Sequence, residues 1–149
     1  MIIREATFQE LFDADNFDDL ARAYTLESGT PIFGNENVDV DWYLAGEQAG
    51  QANLIIAEKD EHIVGFAVIV DGYHPHFSIG LACLEALYLA PAYRRGVAGI
   101  KLIRAAQNLA RNKGYRFLTA SAPAESRLNA LYKRLGEHTD NDYLFDLRD

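Results

Sequence analysis

Residues 87–103 read LYLAPAYRRGVAGIKLI. An apolar run suited to a strand stops at Pro91, two arginines and two glycines follow, and the chain then becomes an amphipathic helix. Strand, tight turn and helix in that order make a crossover, and open sheets take ligands at such crossovers. A helix start presents unpaired N–H groups and the positive end of its dipole, so an anion placed there meets donors already aimed at it. Gly96 and Gly99 let the backbone approach because no Cβ intervenes, and Arg94 and Arg95 add charge-assisted donors. The stretch suits a phosphate or pyrophosphate. A tight turn flanked by surface arginines accounts for the same letters, and the stretch alone leaves both readings open.

The arginines stand out because the chain is acidic, with a formal charge of -8 over 149 residues. The charge is segregated. Residues 1–50 hold eleven carboxylates against Arg4 and Arg22, whereas residues 86–134 hold ten Lys and Arg against Glu125. One half suits a cation and the other an anion, although most individual charges read equally well as solvated helix faces. A net negative charge argues against general nucleic-acid binding. No apolar stretch reaches the roughly 18 residues of a membrane span, and the first residues lack the pattern of a signal peptide, so a cytoplasmic location without membrane contact is expected. The length suits a single domain over 1–149. Cys83, the one cysteine, rules out an internal disulfide and a cysteine-only zinc site.

Outward from the opening stretch, the pattern predicts a first strand at 2–6. A helix opened by the capping box at Thr7–Glu10 follows, running through Leu20 and Tyr24 to Gly29 and Pro31, and a second short helix lies at 38–49. A hairpin at 52–58 and 63–71 leads through the loop GYHPHFSIG to the strand LACLEALYLA. After the crossover helix, with Gly114 as its C-cap, come a strand at 115–120, a helix at 124–135 and a final hairpin in HTDNDYLFDL. The implied fold is α/β: a mixed, mostly antiparallel central sheet with one parallel strand-helix-strand crossover and helices on both faces. Neither the P-loop nor the dinucleotide fingerprint is present, which disfavours ATP and NAD.

With its lead Arg94 and closing Gly99, LYLAPAYRRGVAG resembles the hallmark of the GNAT superfamily of acyl-CoA-dependent N-acyltransferases, a strand followed by Arg or Gln, x-x-G-x-G/A and a long helix. Ala110 and Gly114 fall where that family has a small residue and the glycine ending the helix. Val97 departs from the pattern, standing where the first motif glycine belongs, with Gly96 one position early. The likeness is greatest to small acetyltransferases of bacteria and phages. It implies acetyl-CoA as cosubstrate and no metal, with the coenzyme held along Leu87, Tyr88 and Leu89, across Arg94, Arg95, Gly96, Val97, Ala98 and Gly99, and at Asn129.

Glu85 is the one ionisable side chain of the strand, and by alternation it shares a face with Cys83, Leu87 and Leu89. A poorly solvated carboxyl there has a raised pKa, which suits a general base near neutral pH; a strand glutamate paired with an arginine is the competing reading. The resemblance gives Glu85 the base role. It gives Tyr132, in LNALYKRLG, the role of acid to the departing thiolate, against the competing reading of a core tyrosine. Glu125 replaces the asparagine often found seven positions earlier in the family. His74 and His76 flank Pro75 without a third ligand nearby, so loop is preferred to metal, and Cys83 reads as a small buried hydrophobe. The acidic half implies a cationic amine acceptor, a small molecule or a protein lysine or N-terminus, with a homodimer left open. The alternative is a non-catalytic coenzyme A sensor or an acidic protein-interaction module.

Overall fold

The computed structural model describes residues 1–28 and 31–148; Gly29, expected to end the first helix, lies outside them. Five strands order as β1 (Ile2–Ala6), β2 (Ala52–Lys59), β3 (His62–His74), β4 (Ile79–Leu89) and β5 (Leu118–Ala120). All neighbours are antiparallel except β4 and β5, which run parallel across the crossover helix.

Helices cover both faces, as the apolar spacing implies. Helices α1 (Phe8–Phe12), α2 (Phe17–Glu27) and α3 (Val40–Gln48) lie on one face. There Phe8, Leu11 and Leu20 pack with Leu54, Phe66, Ala86 and Tyr88 of the sheet. On the other face α4 (Ala98–Asn112) buries Leu102, Ala106 and Leu109 against Ile55, Ile69, Ala82 and Leu84. The last helix, α5 (Arg127–Leu135), places Tyr132 against that second cluster.

Several expectations are corrected. The first helix is two, because the chain turns at residues 13–16, where Asn16 Nδ2 donates to Ile63 O at 2.9 Å. The Thr7 capping box is present as expected, and Asp39 caps α3 by accepting from Trp42 N–H at 3.0 Å. The loop at 72–80 shrinks to a tight turn, since β3 continues to His74 and β4 begins at Ile79. The last strand and the last helix start late: β5 at Leu118 and α5 at Arg127, the latter capped by Ser126. The final hairpin does not form. Residues 137–148 carry no strand, and Tyr143, Phe145 and Leu147 stand exposed.

Candidate active site

The site begins with a fault in a strand. Val68 pairs with Ala86 and Ile69 with Leu84, so Glu85 is the extra residue of a β-bulge. The bulge reverses the strand's phase. Leu84 packs under α4, whereas Ala86, two residues on, packs under α1 and α2. In unbroken alternation the two would share a face. Glu85 consequently does not share a face with Leu87 and Leu89 as expected. It turns toward α3, where the Tyr43 hydroxyl lies 3.1 Å from each carboxylate oxygen, while Leu87 joins the α4 cluster.

The bulge also opens the sheet. Pairing between β4 and β5 ends at Leu84 with Ala120, so residues 85–89 have a neighbour only in β3. Ala90 N–H donates to Val64 O at 2.8 Å, and alternation therefore turns the polar groups of Leu87 and Leu89 to the free edge. The result is a wedge between β4 and β5 with backbone donors on one wall.

Electrostatics follow from this placement. Glu85 is reachable by solvent, yet the surrounding protein desolvates its carboxyl and raises its pKa, while the Tyr43 hydrogen bond partly lowers it. Burial, followed by the Glu85 charge, drives the Tyr43 phenol well above its usual value and raises that of Tyr24 on α2. Tyr132 is raised strongly as well, by burial first and by Tyr24 second. The Glu85 carboxyl thus meets the Tyr43 phenol from α3 directly and acts on Tyr24 of α2, which in turn acts on Tyr132 of α5. In the sequence Tyr24 reads only as an apolar helix position and Tyr43 carries no signal, because an aromatic on an amphipathic helix is indistinguishable from core.

Beyond Leu89 the chain makes a short 3₁₀ turn, Pro91–Tyr93, and the two arginines part company. Arg94 Nε donates to Leu89 O at 2.6 Å, its Nη2 binds both Glu27 oxygens at 2.7 and 2.6 Å, and its guanidinium covers the Tyr88 ring. It therefore ties the end of β4 to α2 and does not stand at the α4 start with Arg95. Gly96, at φ 98, turns the chain back. Arg95, Val97, Ala98, Lys101 and Arg104 then line an open depression of about 610 Å³ beside Lys59.

This α4 start fits a phosphate. Val97 caps it with no side-chain hydrogen bond, no acidic residue lies in its first turn, and the space a Cβ would occupy at Gly96 or Gly99 is empty. Tyr88 departs from expectation: it is buried at 6% exposure against Phe66, away from the wedge. Asn129 uses its backbone N–H to bond the Ser126 hydroxyl at 3.0 Å. His74 and His76 both rest on Phe77. Among the described residues no group of three or more His, Cys, Asp or Glu is placed to hold a metal, and no helix is long and apolar enough to cross a membrane.

Sheet, bulged strand and a crossover helix without a side-chain cap define the class: a mixed α/β fold with a wedge opened beside its crossover. The sequence matches the model of the acetyltransferase (GNAT) family over residues 14–136, and the chain belongs to that family of enzymes. No curated protein matches it. Solved structures share the fold. The ribosomal-protein-alanine N-acetyltransferase from Brucella melitensis biovar Abortus 2308 superposes with a TM-score of 0.71 at 19% identity, covering 99% of this chain and 100% of that one. The aminoglycoside N-acetyltransferase AAC(6')-Iy in complex with CoA gives 0.72 at 20%, covering 99% of each chain. An aminoglycoside acetyltransferase from an uncultured soil metagenomic sample, in complex with sisomicin, gives 0.71 at 17%, covering 99% and 96%.

Proposed function

We propose that the protein moves an acetyl group from acetyl-CoA to a primary amine that is cationic in water. The bulge carries this reading, because one local fault sets a desolvated carboxyl at the mouth of a wedge whose wall offers free backbone donors. Acetyl-CoA supplies an acyl group on a good leaving sulfur. Gly96, Val97, Ala98 and Gly99 would hold its diphosphate through backbone N–H groups, with Arg95 adding charge. Leu87 and Leu89 lie along the wedge, and the Leu89 N–H faces charge developing on the carbonyl oxygen.

The ammonium first gives one proton through Glu85 to water, which frees the nitrogen lone pair; Glu85 then takes the second proton as the nitrogen–carbon bond forms and the carbon–sulfur bond breaks. Tyr132 donates to the departing sulfur. Burial raises its pKa, which keeps the proton on the phenol throughout the neutral range and makes it a weaker acid. The acceptor side suits an ammonium group: α3 opens with Asp39 and Asp41, and Trp42, 53% exposed, offers an aromatic face at the rim. Aminoglycosides and peptide N-termini head the panel, given what the similar proteins act on or bind.

Incubation with acetyl-CoA and that panel, followed by free thiol release, is expected to show turnover on at least one amine. Coenzyme A is expected to raise the melting temperature. Absence of both effects would overturn the reading. Tyr132→Phe is expected to lower kcat by about a hundred-fold while leaving coenzyme binding in place.

A further inference from the structure

We propose that Tyr43 is the positioning residue of the catalytic base: its hydroxyl, held by an aromatic cage, bridges both Glu85 oxygens and fixes the direction of the carboxylate. The inference rests on Glu85 acting as the base.

The cage is specific. The Tyr43 ring stacks on Phe8 at 5.1 Å and 27°, meets Trp42 edge-on at 5.2 Å and 88°, and borders Phe12 at 6.2 Å. Phe8 is itself 1% exposed, and its N–H donates to Glu47 Oε2 at 2.9 Å, one turn beyond Tyr43 on α3. The ring cannot swing without disturbing the contact between α1 and α3. The hydroxyl then lies 3.1 Å from Oε1 and 3.1 Å from Oε2. A single proton shared between them leaves the outward lone pairs of the carboxylate free for the amine. Because the ring is already immobilised by packing, the hydrogen bond requires little further ordering.

The groups facing Glu85 are few. The Glu85 charge is felt by Tyr24 of α2 and by Tyr43 of α3; Tyr24 and Asp39 act in turn on Tyr43, and Tyr24 acts on Tyr132 of α5. Against the desolvation that raises the Glu85 pKa, the opposing influence is the Tyr43 hydrogen bond. Removing the hydroxyl leaves desolvation unopposed, so the carboxyl holds its proton to higher pH.

Tyr43→Phe keeps the ring and deletes the donor. Glu85 is followed by carboxyl-carbon NMR, its signal assigned by its loss in Glu85→Gln, so no acceptor is needed. The midpoint is expected to move up by about one pH unit, the value of a hydrogen bond to a charged group. Once an acceptor is known, the acid limb of the rate profile should move with it, with KM for acetyl-CoA unchanged. Fluorotyrosine at position 43, a stronger donor of nearly the same shape, should move the midpoint down and serves if the Phe variant does not fold. An unmoved midpoint in these variants overturns the positioning role. A limb that persists in Glu85→Gln overturns instead the assignment of Glu85 as base, so the two failures are distinguishable.

Discussion

The two halves of β4 are one continuous strand with opposite duties. Residues 82–84 run between β3 and β5, and Ala82 and Leu84 are buried beneath α4. Residues 85–89 have β3 alone, and the edge they leave open is where chemistry fits. One extra residue, Glu85, separates the halves. A central strand satisfies its backbone on both sides and is inert for that reason. Releasing one side creates donors, and the same bulge supplies the carboxyl to work beside them.

The sharpest way to break the comparison is Glu85→Gln. It preserves the shape of the free half and removes its charge, and activity at neutral pH is expected to fall about a hundred-fold or more, with the acid limb abolished. Stability should move the other way. The folded-state pKa of Glu85 is raised, so the stabilisation linked to its proton is fully present below the unfolded value and lost as pH rises through the folded one. At pH 7 the ionised carboxylate therefore weakens the fold. Glu85→Gln is expected to melt above the wild type there, with the gap closing as pH falls toward 4. A variant that is both less active and less stable at pH 7 would show that the carboxylate holds the bulge together.

Much of this was readable from the letters, and the unread part has one cause. The crossover stood out because Pro91, the glycines and the change to helical spacing are local signals, and the Thr7 capping box depends only on near neighbours. The bulge exists only in the register between β3 and β4, which the letters of β4 do not carry. Strict alternation consequently put Glu85 on a face with Leu87 and Leu89. Tyr43 gains its meaning from Glu85, 42 positions away. The parting of Arg94 and Arg95 required knowing that Glu27 lies within reach on α2. The tail at 137–148 offers a turn at Asp140-Asn141 and the apolar run Tyr143–Phe145, yet a strand needs an edge to join, and no such pairing occurs there among the described residues.

Arg94 tests how the free half is anchored. Its bonds to Leu89 O and Glu27 tie the open end of β4 to α2, but both side chains of the ion pair are partly exposed, 36% and 44%, which limits its strength. Arg94→Ala is expected to cost about 1 kcal/mol, a fall in melting temperature of roughly 2–4 °C for a chain of this size. Arg95→Ala should leave melting unchanged and weaken coenzyme A binding instead. If the two variants exchange effects, with Arg94→Ala losing coenzyme and keeping its melting temperature, the guanidinium moves to the α4 start when coenzyme binds.

The smallest effect is expected at Val97, which stands where the family motif has a glycine. Its backbone lies at φ -105, an ordinary value for a residue with a side chain, so no strain is relieved by substitution. The side chain is 59% exposed, and the turn that needs a glycine is made one residue earlier, by Gly96 at φ 98. The N–H groups at the start of α4 are thus presented with valine in place. Val97→Gly removes an exposed side chain and leaves the backbone N–H groups in place, and glycine at an N-cap changes helix stability by only about a few tenths of a kcal/mol. Coenzyme A affinity, measured by calorimetry, should change by less than about two-fold, since 1.4 kcal/mol is needed for ten. A gain of ten-fold or more would mean that the valine narrows the approach to the helix start, and that the anion-binding end of the wedge is held back where its catalytic end is open.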